Sequence, residues 1–247
     1  MLARVYVITG SHACRTATLM LEHKGIPYRL VRLTTGVHPL LVRAHGFAGH
    51  RTPIRTLEGT TPRPLALLDR LGTVPALRLA GERVQTNRAI ARFLEGLQPQ
   101  PALFPAQPER RQAVEDAERW GDDVLQMAAR RVALATPLDT MPSQGADGRL
   151  GPLLARSAVM RTILAHATPK PFCAGSSNLD ALLDAIPPML DIVDSHIGHG
   201  VLCGEELNVA DFSIAPSLAL LCYRPELNAE ISRRPAGALV DRLLPER

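Results

Sequence analysis

Apolar and polar positions follow two different rhythms along this chain, and the change of rhythm divides it. Residues 4–8, RVYVI, are β-branched and aromatic and stop at Thr9-Gly10, which predicts a short strand. Apolar positions 13, 17, 20 and 21 then recur at helical spacing over 12–24. Gly25-Ile26-Pro27 ends that helix, because glycine caps it and proline cannot continue it. Tyr28 to Leu33 predicts a second strand, and a helical crossover between two strands implies parallel pairing.

Residues 34–72 break the pattern. They are rich in Gly, Pro, Thr and His, with apolar islands at Pro39–Val42 and Leu65–Leu68. A long excursion with one or two helical turns is expected there, and an excursion of that length serves function or moves. Regularity returns with VPALRL at 74–79, a turn at Ala80-Gly81-Glu82, and Arg83-Val84-Gln85, which together predict a hairpin. Thr86 can cap a helix whose apolar residues 90, 93, 94 and 97 share one face.

Beyond the Pro-rich run at 99–108 the helical rhythm holds to the end. Positions 114, 117, 124, 125, 128 and 132 mark one long amphipathic face over Glu109–Ala135. Residues 136–152 read as a connector, with helices at about 153–167, 178–197, 208–222 and 228–244. Pro187-Pro188 must kink or split the second of these. The expected plan is an α/β domain over 1–97 carrying the 34–72 insertion, a linker over 98–108, and an all-helical domain over 109–247.

Composition narrows the function classes. A length of 247 residues with 46% hydrophobic and 21% charged residues is that of a folded globular protein. The net charge of +4 is small and its 26 Arg and 2 Lys are spread along the chain. One Trp, three Tyr and five Phe offer little for base stacking, so no nucleic-acid partner is expected. The arginine bias is that of a GC-rich bacterial genome. Cys14, Cys173, Cys203 and Cys222 lack disulfide-framework or metal-ligand spacing, so no metal is expected. Without a secretory signal or a membrane-length apolar run, a cytoplasmic protein with no membrane partner is expected.

Four local features carry candidate chemistry. Ser11-His12-Ala13-Cys14 lies where the first strand gives way to the first helix, the end of an open α/β sheet where ligands gather. Unpaired N–H groups there favour an anion such as a thiolate. Ser11 could donate to such a thiolate or simply cap the helix, and Cys14 could be a thiol of lowered pKa or a buried first-turn residue. His12 reads as an exposed bystander. Val74-Pro75 precedes a strand, and a cis bond there would turn the Val74 backbone toward an extended peptide. Gln85-Thr86 opens the next helix, as a carboxylate and amine clamp or as a plain cap. Asn208 and Asp211 form a capping box whose role is structural.

Taken in order, these features resemble the cytosolic glutathione S-transferase superfamily: VYVITGSHACRTATLMLEHKGIPY, then VPAL, then QTNRAIARFL, then ELNVADFSIA. The resemblance covers nearly the whole chain apart from about 36–72. It implies an α/β thioredoxin-like domain followed by an all-α helical domain, and an enzyme that conjugates glutathione or a related thiol to an electrophile. Ser11 aligns with the first active-site position, which is the catalytic Ser of zeta-like members and the Cys of omega-like ones; Cys14 falls at the fourth. The resemblance further implies that Val74, beside cis-Pro75, pairs with the cysteinyl backbone of glutathione, and that Gln85 and Thr86 hold its γ-glutamyl end. It implies a homodimer, and a second substrate in the cleft against Trp120–Met127. The family's connector before VPAL is much shorter than residues 34–72. Thiol–disulfide reduction through Cys14 and a non-catalytic scaffold of the same fold stand as alternatives.

Overall fold

The computed structural model describes residues 2–52, 54–136 and 170–245. Two layers meet in it. The first is built on a four-stranded sheet ordered β2-β1-β3-β4, from β1 (Ala3–Ile8), β2 (Tyr28–Leu33), β3 (Ala76–Leu79) and β4 (Glu82–Gln85). β1 runs parallel to β2 and antiparallel to β3, and β3 runs antiparallel to β4. The parallel pair is joined by α1 (His12–His23), and the hairpin leads into α4 (Asn87–Leu97). α1 packs on α4 beside the sheet.

Residues 34–72 hold more regular structure than their composition suggests. The one or two helical turns expected there are two helices, α2 (His38–Ala44) and α3 (Arg63–Leu71). Both begin with proline in the first turn, where its missing N–H costs nothing. Tertiary contacts decide the rest. Tyr6 of β1 lies 4.8 Å from the ring of His45 and 5.0 Å from that of Phe47, which seats the excursion on the sheet. The fully buried Asp69 accepts from the Ile54 and Arg55 N–H groups at 3.0 and 3.1 Å and from Arg55 Nε at 2.6 Å. Gly49 passes so close to α3 that a Cβ would stand 1.7 Å from the Arg70 carbonyl, and only glycine fits.

The second layer is helical. The long face read over 109–135 is α5 (Pro108–Trp120) and α6 (Gln126–Ala135), joined by a π turn at Gly121–Leu125. That turn widens the backbone where Gly121 meets the next layer: a Cβ there would lie 2.8 Å from Ile214 Cγ1. The segment read as one helix at 178–197 splits at Ala185 into α7 (Leu179–Asp184) and α8 (Ile186–Gly198), with the two prolines in the first turn of α8. The single helix expected at 228–244 is likewise two, α10 (Pro225–Ile231) and α11 (Pro235–Leu243). The helix expected at 153–167 lies outside the described residues. Between these runs α9 (Val209–Leu221), buried along its whole length. It packs on α1, α5, α6 and α11 and so joins the two layers. Its start is fixed as expected: Asn208 Oδ1 accepts from Ala210 N at 2.9 Å and Asp211 Oδ2 from Asn208 N at 2.8 Å. No described helix is long and apolar enough to cross a membrane.

Candidate functional site

The strand register gathers three of the sequence features at one end of the sheet. Tyr6 of β1 pairs with Ala76 of β3, and Ala76 pairs with Gln85 of β4. The chain leaving β1 toward Ser11, the chain entering β3 through Val74-Pro75, and the chain leaving β4 through Thr86 therefore share that end. The N-termini of α1 and α4 begin there as well.

Ser11 is half-buried and caps α1, its Oγ accepting from Cys14 N at 3.3 Å. That bond uses an acceptor lone pair, and the hydroxyl proton can turn to the Cys14 sulfur or to a ligand. Cys14 is buried, and desolvation pushes its thiol up to about 11 against smaller opposing effects from Ser11, the Ile8 backbone and Arg130. The thiol of lowered pKa considered from sequence is therefore not what this site holds. His12 departs from expectation too. It is buried rather than exposed, and its Nε2 faces the Gln126 carbonyl at 3.2 Å. A carbonyl only accepts, so this nitrogen carries the proton. Burial, with Arg130 nearby, lowers the ring to about 3 and keeps it neutral.

The Val74–Pro75 bond is cis. Val74 is buried, its carbonyl meets the Thr73 hydroxyl at 3.4 Å, and Pro75 O accepts from Thr86 N at 3.4 Å. Gln85 Nε2 donates to the Thr73 carbonyl at 2.9 Å, which uses one of its two amide protons and turns Oε1 the other way as an acceptor. Thr86 Oγ1 accepts from Ala89 N at 3.3 Å, so its hydroxyl proton is also free. Thr86 holds φ at +74°, an outlier for a β-branched residue, and such strain is found where surrounding structure over-determines a position.

Residues that the sequence did not single out close the site from the helical side. Arg88, in the first turn of α4, bonds Asp123 at 2.7 Å and lies 3.6 Å from Asp122 Oδ2. Asp122 sits in the π turn and accepts from Ser213 Oγ at 2.9 Å and Gln126 Nε2 at 3.3 Å. Burial raises it to about 6. One turn along α6 stands Arg130, whose Nη2 donates to Gln126 Oε1 at 3.0 Å. The signal for these groups was a π turn, which a helical repeat does not reveal.

No family model matches the sequence, and no curated protein matches it. Solved structures do. A GST-like protein from Pseudomonas syringae is 20% identical with a TM-score of 0.60, over 98% of this chain and 66% of that one. This chain thus spans slightly under two thirds of that protein. A glutathione S-transferase from Methylobacterium radiotolerans, in complex with glutathione sulfonate, is 22% identical with a TM-score of 0.56, over 98% and 90%. One from Sinorhizobium meliloti is 14% identical with a TM-score of 0.59, over 100% and 94%. The chain has the glutathione S-transferase fold, with its α/β and all-helical parts.

Proposed function

We propose that this chain binds glutathione, or a related low-molecular-weight thiol, at the shared end of β1, β3 and β4 and conjugates it to an electrophilic small molecule. The carrying observation is the convergence of Ser11, the cis Val74–Pro75 bond and Gln85-Thr86 on that end. The Methylobacterium neighbour that carries glutathione sulfonate has the same fold, which supports this choice of thiol.

In this reading the Ser11 hydroxyl donates to the thiolate while its other lone pair holds the α1 cap. The N-terminal dipole of α1 adds to the same stabilisation. A lower thiol pKa enlarges the nucleophile fraction, and fixed orientation adds to the rate. The thiolate attacks the electrophilic carbon, the leaving group departs with its electron pair, and the thiol proton passes to solvent. The Val74 backbone pairs with the cysteinyl backbone. The Thr86 hydroxyl donates to the γ-glutamyl carboxylate, and Gln85 Oε1 accepts from its ammonium. The second substrate sits against the π turn and α6. Cys14, buried and protonated at neutral pH, supplies too little thiolate for the reductase alternative.

Calorimetric titration with glutathione and with other cellular thiols tests the binding half. Micromolar affinity for one thiol is the expected result, and no heat with any thiol sinks the reading in favour of a scaffold. We also propose a homodimer, for which sedimentation at micromolar concentration should give about twice the 26.8 kDa chain mass. A clean monomer would count against it.

A further inference from the structure

Among the described residues Arg130 is a cation with no carboxylate bonded to it, although Asp122 and Asp69 lie near enough to act on its charge. Its Nη1 is buried and has no hydrogen-bond partner, and its Nη2 reaches only the neutral amide oxygen of Gln126. The nearby carboxylates are engaged elsewhere: Asp69 holds Arg55 at 2.6 Å, and Asp122 holds Ser213 and faces Arg88. A second cation points at the same place. The Arg55 guanidinium lies 5.9 Å from the centre of the Phe172 ring and that of Arg130 lies 5.3 Å from it. Two further nitrogens of the excursion, His38 Nδ1 and His50 Nε2, are buried and unpartnered. Positive charge and open donors collect here, next to the apolar cluster of Leu57, Leu65, Met127, Phe172 and Ala174.

A buried guanidinium nitrogen with no acceptor is rare in folded proteins, because water is lost and nothing replaces it. It becomes favourable when a ligand brings the acceptor. The guanidinium fork matches a planar carboxylate, to which it can donate two parallel bonds. The apolar cluster beside it suits a hydrocarbon or aromatic body on the same molecule. The location ties this subsite to the thiol end of the sheet. Gln126, which anchors His12 through its carbonyl, is also the residue that orients Arg130, and the charge of Arg130 acts on both His12 and Cys14.

We propose that Arg130, with Arg55 also at the Phe172 ring, recognises a carboxylate on the electrophile, so that the second substrate is an apolar or aromatic acid. The inference rests on the thiol-transfer reading above. The burial of His38, reinforced by Arg55 and Arg130, lowers that ring to about 4, so at neutral pH it adds no charge here.

The test uses two electrophiles that differ only at the proposed contact, 4-chloro-3-nitrobenzoate and 4-chloro-3-nitrobenzamide. With either, the glutathione sulfur bonds to the ring carbon that carries chlorine, the C–Cl bond breaks, chloride leaves with the electron pair, and the thiol proton goes to solvent. With each kcat/KM divided by that electrophile's uncatalysed rate with glutathione, the full chain should prefer the benzoate by about 10- to 100-fold, the worth of a hydrogen bond to a charged group. Arg130→Gln should bring the benzoate down to the benzamide, and Arg130→Lys should restore part of the preference. Equal use of both by the unaltered chain, or a preference that survives Arg130→Gln, overturns the proposal. Should glutathione itself fail to bind, the function proposed above falls and the subsite is read alone, by titrating 4-chloro-3-nitrobenzoate into the free protein. Binding that is lost in Arg130→Gln then upholds it, and no binding overturns it. If Arg130→Gln does not fold, competition by benzoate against benzamide on the unaltered chain decides the same question.

Discussion

Lys24 and Arg130 are both cations withdrawn from water, and their surroundings could hardly differ more. The Lys24 side chain is fully buried, and its ammonium donates to Glu95 Oε2 at 2.6 Å, the Gln98 carbonyl at 2.7 Å and the Pro99 carbonyl at 3.4 Å. Three protons meet three acceptors. Glu95 is engaged in turn by Leu103 N at 2.9 Å, and Gln98 Nε2 returns a bond to the Lys24 carbonyl at 2.6 Å. The end of α1, the end of α4 and the segment that enters the helical layer are thus locked by one residue. Arg130 has a buried nitrogen with no acceptor. The satisfied cation holds the fold together, whereas the unsatisfied one has donors in reserve for a ligand.

The sharpest way to break this contrast is to remove Lys24. Lys24→Met leaves the largely buried Glu95 without its counter-ion, held only by Leu103 N, and strips two carbonyls of their donor. Breaking a buried pair from one side costs about 3–5 kcal/mol. Urea denaturation should show a loss of that size, and a loss below about 1 kcal/mol would mean that the network is dispensable.

Little of either site was legible in sequence, for a physical reason. The β1-α1-β2 and β3-β4-α4 units announce themselves through local periods, and their caps and turns lie within a few residues of one another. Ser11, Val74, Pro75, Gln85 and Thr86 were singled out because each sits at an element end that local signals mark. Lys24 left only a compositional trace, as one of two lysines among 26 arginines. A compact ammonium suits three converging acceptors where a planar fork does not. Arg130 left none. On a helical wheel it is one more polar residue, and its burial comes from packing against the excursion and Phe172, far away in sequence. The same distance explains the excursion itself, whose order depends on Asp69, Tyr6 and a close approach at Gly49 rather than on propensity.

A second test separates the two groups at the start of α1 by the same accounting. The Ser11 hydroxyl keeps a proton to donate beside its cap bond, while the Cys14 thiol is buried with its pKa raised to about 11. Loss of one preorganised donor to a developing charge is worth about 2.7–4 kcal/mol. Ser11→Ala should therefore lower kcat on an accepted electrophile roughly 10²–10³-fold. Calorimetry should find thiol affinity nearly intact and stability lower by about 1 kcal/mol from the lost cap. Cys14→Ser should be mild in turnover. An inert Ser11→Ala with a dead Cys14→Ser would hand the chemistry to Cys14.

Glu118 stands between the two cations in kind. One of its oxygens meets Arg92 Nη1 at 2.5 Å and the other is buried without a partner. Burial, opposed by the bond to Arg92, raises it to about 7. The folded state therefore holds this proton more tightly than the unfolded state, whose carboxyl titrates near 4.5. Its contribution to stability falls as pH rises from 4.5 to 7 and stays low above. Glu118→Gln removes that decline, so the variant should gain on the unaltered chain by on the order of 1–3 kcal/mol between pH 4.5 and 8. Melting both proteins across this range isolates the effect, because the buried histidines contribute equally to each. A difference that is flat with pH would place the Glu118 proton elsewhere.

The smallest effect on stability should come from Arg130 itself. Arg130→Gln gives up the guanidinium contact with the Phe172 ring and uncovers the Gln126 amide oxygen, which can turn toward solvent or toward the new side chain. It also removes a charge whose desolvation outweighs the attraction of Asp122 and Asp69. Replacing an uncompensated ion with a neutral group of similar reach is often neutral or stabilising. Denaturation should therefore move by no more than about 1 kcal/mol in either direction, against the several lost at Lys24. A loss above about 2 kcal/mol would mean that Arg130 is already satisfied in the free protein and belongs with Lys24 as a structural cation. A near-zero shift together with loss of the benzoate preference would leave ligand recognition as the reason for burying it, since a residue that contributes nothing to folding is not held out of water by the fold's own needs.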